Sequence, residues 1–300
     1  MTNIRPDAAE ESEFCHFVTT DTMTYPMFHM TSSDSYINDT EIISFIRDKY
    51  HLFCQDTVGS EESEERSGSK KEEHMSVCTR EIDYGTELYE VRQSLTTDGR
   101  TILIAWMQTD DFQNAELEQK SWSRQMILPR EVSIHDGKLI QRPIRELEYY
   151  FTNIISYKNV PVSDEVFLYG MEGSCVDIEI NVRPVTDEPL YREFSVLLVT
   201  DEVNHSSICF SPEDGMVKIG RKHSGSPERI THHCGCLVEE SMDGNIKFRI
   251  ILDRFSSEVF INDGRYVVST VIPTRLSAEK IVFRTEGKSA IDVTKRDIHI

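Results

Sequence analysis

The chain is predicted to be all-β and to end in a β-sandwich, and three features of its sequence carry that prediction. Apolar and polar residues alternate over 175–182 and 246–252, the period of a strand with one buried and one wet face. Turn signals of the hairpin kind punctuate the chain at Thr97-Asp98-Gly99-Arg100, Asp136-Gly137 and Asn262-Asp263-Gly264. Residues 101–107, Thr-Ile-Leu-Ile-Ala-Trp-Met, are almost continuously apolar, which predicts a strand covered on both faces.

In chain order, residues 1–24 show no periodicity and carry an acidic run over 7–13, which reads as a leader without fixed structure. Short strands follow, clearest at 42–46 and 50–53, and Arg47-Asp48-Lys49 between them predicts a hairpin. Residues 56–80 differ in kind. Their centre, 61–73, is charged and of low complexity, and such a stretch buries too little apolar surface to fold, so it reads as a solvated linker. Strand signals resume at 81–85 and continue through 101–107, 121–132 and 138–143. From about residue 151 the composition is that of a sandwich. Residues 253–261 run into the tight turn at Gly264, 266–273 return, and 280–283, 291–293 and 298–300 close the fold.

With 300 residues the chain is long enough for about two domains. Its 32 Lys and Arg against 52 Asp and Glu give a net charge of −20, which would repel nucleic acid and anionic membranes. No run of about 18 apolar residues occurs, and the acidic, polar start differs from a secretory signal, so a cytoplasmic protein is expected. Seven Cys, an odd number at irregular spacing, fit reduced thiols. His232-His233-Cys234-Gly235-Cys236 lacks the second ligand pair of a structural zinc site and reads as a turn, so no metal is expected there.

Several blocks in one order resemble glycoside hydrolase family 32, the invertases, fructanases and sucrose-6-phosphate hydrolases. Members carry an aromatic-Phe-His element, then Trp-(Met/Ile)-Asn-Asp-Pro-Asn-Gly and Tyr-His-Leu-Phe-Tyr-Gln. This chain has Met27-Phe28-His29, Tyr36-Ile37-Asn38-Asp39 and Tyr50-His51-Leu52-Phe53-Cys54-Gln55. It also has Asp83-Tyr84-Gly85, Glu87-Leu88-Tyr89-Glu90, residues 99–107, the Trp-Ser-Arg…Leu-Pro-Arg-Glu of 122–131 and the Gly…Pro of 137–143. The Asp253-Arg254-Phe255-Ser256-Ser257-Glu258-Val259-Phe260 block resembles the hallmark of the family's C-terminal sandwich.

The resemblance implies a five-bladed β-propeller followed by a β-sandwich, here reduced to a propeller remnant. The expected organisation is a leader over 1–24, a truncated catalytic domain over 25–150 with its charged linker at 56–80, and the sandwich over 151–300. Only 25 residues separate Gln55 from Glu81, too few for one four-stranded blade. The implied activity is hydrolysis of β-fructofuranosides by double displacement, without metal or cofactor, on a fructosyl-containing sugar. Asp39 falls on the nucleophile position, while Asn38, Gln55 and Trp106 fall on positions near the sugar. Each has an ordinary reading too: Trp106 as core of a buried strand, Asn38 and Gln55 as groups satisfying backbone at strand ends.

The family's Arg-Asp-Pro and Glu-Cys-Pro motifs, the second holding its general acid/base, do not occur. Tyr36 stands for the Trp, and Thr40-Glu41-Ile42 for Pro-Asn-Gly. A retaining glycosidase needs two carboxyl groups about 5–5.5 Å apart. Glu41, Glu87 and Glu90 are the candidate substitute acids, with rim charge as their plain alternative. In an extended strand Glu41 would lie about 6.5 Å from Asp39 and point the same way. The alternative function is a non-catalytic carbohydrate-binding or subunit-contact module, or a degenerate relative. Loss of blades would bare an apolar face and favour a homo-oligomer through the propeller remnant.

Overall fold

Three sheets account for nearly all of the residues that the computed structural model describes, namely 36–46, 49–57, 81–86, 88–108, 124–136, 138–200, 205–221, 233–272 and 279–299. The leader and 58–80, most of the expected linker, lie outside them, as does Glu87. The first sheet is the expected hairpin. In it β1 (Tyr36–Ile46) pairs antiparallel with β2 (Lys49–Thr57).

The second sheet contains β3 (Leu88–Leu95), β4 (Thr101–Gln108), β5 (Arg124–Met126), β6 (Arg130–His135) and β7 (Lys138–Pro143). Its order is β3-β4-β6-β7, with β5 also pairing β4. The predicted turn between β3 and β4 forms around Thr96. Its N–H donates to Arg100 O at 2.8 Å, its hydroxyl accepts from Arg100 N at 2.9 Å, and Gly99 supplies the left-handed step at φ 83°. Ile102 through Met107 are all buried, so the apolar run is covered on both faces as its composition predicts. Ile102, Ile104 and Trp106 meet Met126 on one face, and Leu103, Ala105 and Met107 meet Ile127 and Val271 on the other. Large apolar side chains left exposed on this sheet are Tyr89, Leu95 and Ile134 among the described residues.

A 3₁₀ turn, Arg145–Tyr150, leads into ten strands. They are β8 (Phe151–Glu172), β9 (Val176–Pro184), β10 (Glu193–Thr200), β11 (Ser206–Ser211), β12 (Met216–Gly220), β13 (His233–Leu237), β14 (Ile246–Asp253), β15 (Ser256–Ile261), β16 (Tyr266–Val271) and β17 (Lys280–Ile298). The order is β13-β12-β11-β10-β17-β9-β14-β15-β16, with β8 on β17. Strand β17 turns this path into two layers. Its first half pairs with β10 and its second with β9, and the register breaks between Thr285 and Ser289, around Gly287 at φ 112°. A strand that bends from one layer into the other makes the corner of a sandwich. Ile178, Ile180, Ile250 and Val268 from one layer and Phe194, Phe210, Ile219 and Phe283 from the other share one core. Each such side chain, fully buried, is worth about 1.5–3 kcal/mol.

Three expectations are corrected. The alternation over 246–252 holds only as far as Arg249; Ile250 to Asp253 are all buried, because the second sheet covers the outer face of β14 to β16. Leu128 and Leu147 pack there against Ile251, Phe260 and Val267. In β9, Asp177 lies on the face expected to be wet yet is buried, held by Arg249 at 2.6 Å and Arg296 at 3.3 Å. Burial raises the pKa of its carboxyl more than the two arginines lower it. Finally, 233–237 is a strand rather than a turn. Cys234 and Cys236 enter the sandwich core, and burial pushes the Cys236 thiol up to about 12.

Candidate functional site

The register of the first hairpin sets Asn38 directly opposite Gln55, so two of the expected sugar-contact positions come together. Thr40 pairs with Cys54, which leaves Asp39 as the extra residue of a bulge between them. Ile42 pairs with Phe53, which makes Glu41 the extra residue of a second bulge. The regular alternation assumed for Asp39 and Glu41 is therefore broken at both residues. Strand β1 comes within contact range of β3 and β5. The Asp39 strand thus borders the sheet that carries the other candidates.

On that sheet Trp106 lies opposite Tyr89, and their rings stack with centroids 5.3 Å apart at 25°. Trp106 is only 8% exposed and Tyr89 40% exposed. Trp106 is thus largely buried, and Tyr89 presents the outer aromatic surface of the pair. Glu90 sits at a break in register between Tyr89 and Arg92, with φ 49°, and pairs with Arg92 at 3.0 Å. Of the substitute acids it is the one whose side chain is described, and it is exposed and ion-paired.

The polar residues of the motifs that were not assigned to the sugar converge elsewhere. Arg130, on β6, is fully buried between two buried carboxylates. Its Nη1 donates to Asp83 Oδ2 at 2.9 Å and its Nη2 to Glu258 Oε2 at 2.7 Å. Glu258 also accepts from Leu128 N at 2.7 Å. Asp83 accepts from the Ser269 amide and hydroxyl, and Gln141 accepts from Arg130 at 3.2 Å while donating to Ile82 O. Gln125 Nε2 reaches Ser256 Oγ at 2.8 Å. Burial alone would lower the Arg130 pKa, but Glu258 and then Asp83 outweigh it, and the guanidinium stays charged. This cluster ties the second sheet to β15 and β16. Sequence reading assigned it no role, although a glutamate inside a strand as apolar as Ser256–Ile261 signals a buried cation.

A second, more exposed network braces the turn side of the same sheet. Glu131 accepts from Arg145 at 2.8 Å and from Arg100 at 2.8 Å, and Arg100 also reaches Glu146 at 2.6 Å. The Arg145 hydrogen bond, against the opposing effect of burial and with help from Arg100, holds the Glu131 carboxyl at about 2. Its folded pKa lies below the unfolded value, so its stabilisation is present above about pH 4.5 and is lost as pH falls through about 2. After solvent screening this is worth about 1–2 kcal/mol. Urea midpoints of wild type and Glu131→Gln are expected to differ at pH 6 and to converge towards pH 2; an unchanging gap would remove the ionic explanation.

Among the described residues no group of three or more His, Cys, Asp or Glu is placed to hold a metal. The chain matches the description "Glycosyl hydrolases family 32 N-terminal domain" over residues 57–143 and "Glycosyl hydrolases family 32 C terminal" over 146–299. The Asp39 strand precedes the first of these ranges. A sucrose-6-phosphate hydrolase from Zymomonas mobilis is 27% identical over 222 residues, 72% of this chain and 42% of that protein. A raffinose invertase from Escherichia coli is 30% identical over 228 residues, 70% of this chain and 42% of the relative. Among solved structures, a sucrose-6-phosphate hydrolase from Lactobacillus gasseri superposes with a TM-score of 0.61 at 18% identity, covering 73% of this chain and 42% of the other. Fructan 1-exohydrolase IIa from Cichorium intybus gives 0.59 at 17%, covering 72% and 49%. The chain thus spans less than half the length of these relatives.

Proposed function

Because this chain belongs to glycosyl hydrolase family 32, we propose that its ligand is a β-fructofuranoside of the sucrose or fructan type and that it retains part of the family's retaining chemistry. The observation that carries this reading is the meeting of the Asp39 strand with the sheet holding the Tyr89–Trp106 pair. First and last blades are neighbours when a propeller ring closes, and the approach of β1 to β3 and β5 supports reading the two sheets as those blades. Asp39 then stands in the nucleophile's place, Asn38 and Gln55 flank it, and Tyr89 with Trp106 offers an aromatic wall to the apolar face of a sugar.

Retaining hydrolysis needs a second carboxyl to protonate the departing oxygen and then to take a proton from water. The family's motif for that group is absent, and Glu90 is committed to Arg92. Turnover is therefore slower than in full-length relatives by about 10²–10⁴. Binding is the stronger surviving property. A cytoplasmic location belongs to this reading; the described Cys175, Cys209 and Cys236 form no disulfide, which supports a reducing compartment. No described helix is long and apolar enough to cross a membrane.

Sucrose, sucrose 6-phosphate and levan should each be titrated calorimetrically against the purified chain, with fructose release followed in parallel. The expected result is binding that Tyr89→Ala weakens about tenfold, with slow fructose release that disappears in Asp39→Asn. Release unaffected by Asp39→Asn would overturn the assignment of Asp39. Absence of binding would overturn the ligand class. Binding without Asp39-dependent release would leave the non-catalytic carbohydrate module, a reading that the exposed Tyr89 and the ion-paired Glu90 favour.

A further inference from the structure

Strand β8 is the outermost strand of the sandwich, with β17 as its strand partner among the described residues. It does not run straight. Tyr157 Oη donates to Tyr169 O at 2.9 Å, and Ile155 fills the space beside Gly170, so residues 151–160 and 163–172 run back along one another on either side of Pro161. The first half borders the second half of β17 and the second half borders the first. Each layer of the sandwich therefore ends in one half of β8. Ile155, Tyr157, Val166 and Leu168 pack toward the core. Ile154, Ser156 and Lys158 on one half, and Glu165, Phe167 and Tyr169 on the other, face out; Ile154 is 64% exposed, Phe167 45% and Tyr169 86%.

An open strand edge is a template for another strand, and the edge of β8 that bears no strand among the described residues is self-complementary. We infer that two copies of this chain join edge to edge about a two-fold axis, the first half of β8 in one copy running antiparallel to the second half in the other. Outward residues are even-numbered over 154–158 and odd-numbered over 165–169, which restricts the registers that keep these outward side chains together. One of these sets Lys158 opposite Glu165, Ile154 opposite Tyr169 and Ser156 opposite Phe167. The same register aligns the irregular positions: Asn153 with Gly170 and Asn159 with Asp164, all four at positive φ. Sliding by two residues sets Lys158 against Ser163 or Phe167 and misaligns every one of those positions.

The charges extend the argument. Glu165 is the register partner of Arg284 on β17, and the Asp292 carboxyl, held below its usual pKa chiefly by the Arg183 and Asn159 hydrogen bonds, is held there also by the nearby charge of Lys158. Pairing two copies would interleave these groups as Arg284, Glu165, Lys158, Asp292 across the seam. Because the axis is two-fold, the seam holds this ladder twice. Pro161, which has no N–H to donate, falls at the crossing point between the halves, where a ladder tolerates it.

Sedimentation velocity of the full chain at physiological salt, where the repulsion from a net charge of −20 is screened, tests this. A monomer–dimer equilibrium is expected. Lys158→Glu alone and Glu165→Lys alone should each weaken it about tenfold, and the double exchange Lys158→Glu/Glu165→Lys should restore it. Both side chains are exposed, so circular dichroism should show every variant folded. A chain that stays monomeric at the highest accessible concentration, or a dimer indifferent to the single changes or not restored by the double one, overturns the inference.

Discussion

Arg130→Met is expected to lower the unfolding free energy by about 3–5 kcal/mol, because it leaves two buried carboxylates without the cation between them. Asp83 and Glu258 are fully buried and meet Arg130 at 2.9 and 2.7 Å, and Phe260 lies under the guanidinium at 5.4 Å. Methionine fills much of the volume but answers neither charge. Replacing all three ionic side chains by apolar residues of similar volume should recover most of the loss, since the intact pair is favourable mainly relative to a broken one. Denaturant titration of the single and triple variants checks both statements. A single variant within 1 kcal/mol of wild type would mean that water reaches the cluster and the contact between the sheets is loose.

The consequence reaches the candidate site. Met126, the register partner of Trp106, lies between Gln125 and Leu128, which are held by Ser256 and Glu258 of β15. The sandwich therefore fixes the strand beside the aromatic pair. Asp83, Arg130 and Glu258, each in a block that resembles the family's, make this contact between the sheets. Motif strength was legible in the sequence, but the division of labour within each motif was not. That depends on which faces of two sheets meet, and strand periodicity says nothing about partners.

The same limit explains the other departures. The alternation over 246–252 correctly marks the inner face of the sandwich, and the covered outer face becomes visible only when Leu128 and Leu147 arrive from the preceding sheet. Cys234-Gly235-Cys236 resembles a turn or ligand cluster in composition, whereas Gly235 is there because a Cβ would come 1.9 Å from Val217 O on the neighbouring strand. Hairpins set by local chemistry, at Gly99 and Asp136, were legible in full. The bulges at Asp39 and Glu41 were not, because register is decided by the opposite strand.

Gly264→Ala is the other change expected to be large, and it tests the same contact from the opposite side. Gly264 adopts φ 87°, and a Cβ there would lie 1.7 Å from Gln141 O, a backbone atom of β7. Gln141 N in turn donates to Gly264 O at 2.9 Å, and its side chain belongs to the Arg130 cluster. Gly99 provides the control, with φ 83° and open space around it. Alanine at Gly99 should cost about 1–2 kcal/mol, the left-handed backbone alone. At Gly264 the same backbone penalty is joined by displacement of β7, for a total of about 2–4 kcal/mol. The excess of the second loss over the first measures the contact between the sheets. It should be accompanied by weaker sugar binding, because moving β7 disturbs the cluster that clamps the strand beside Trp106. Equal losses at the two glycines would show that the turn at Gly264 only touches β7 and carries none of the docking energy.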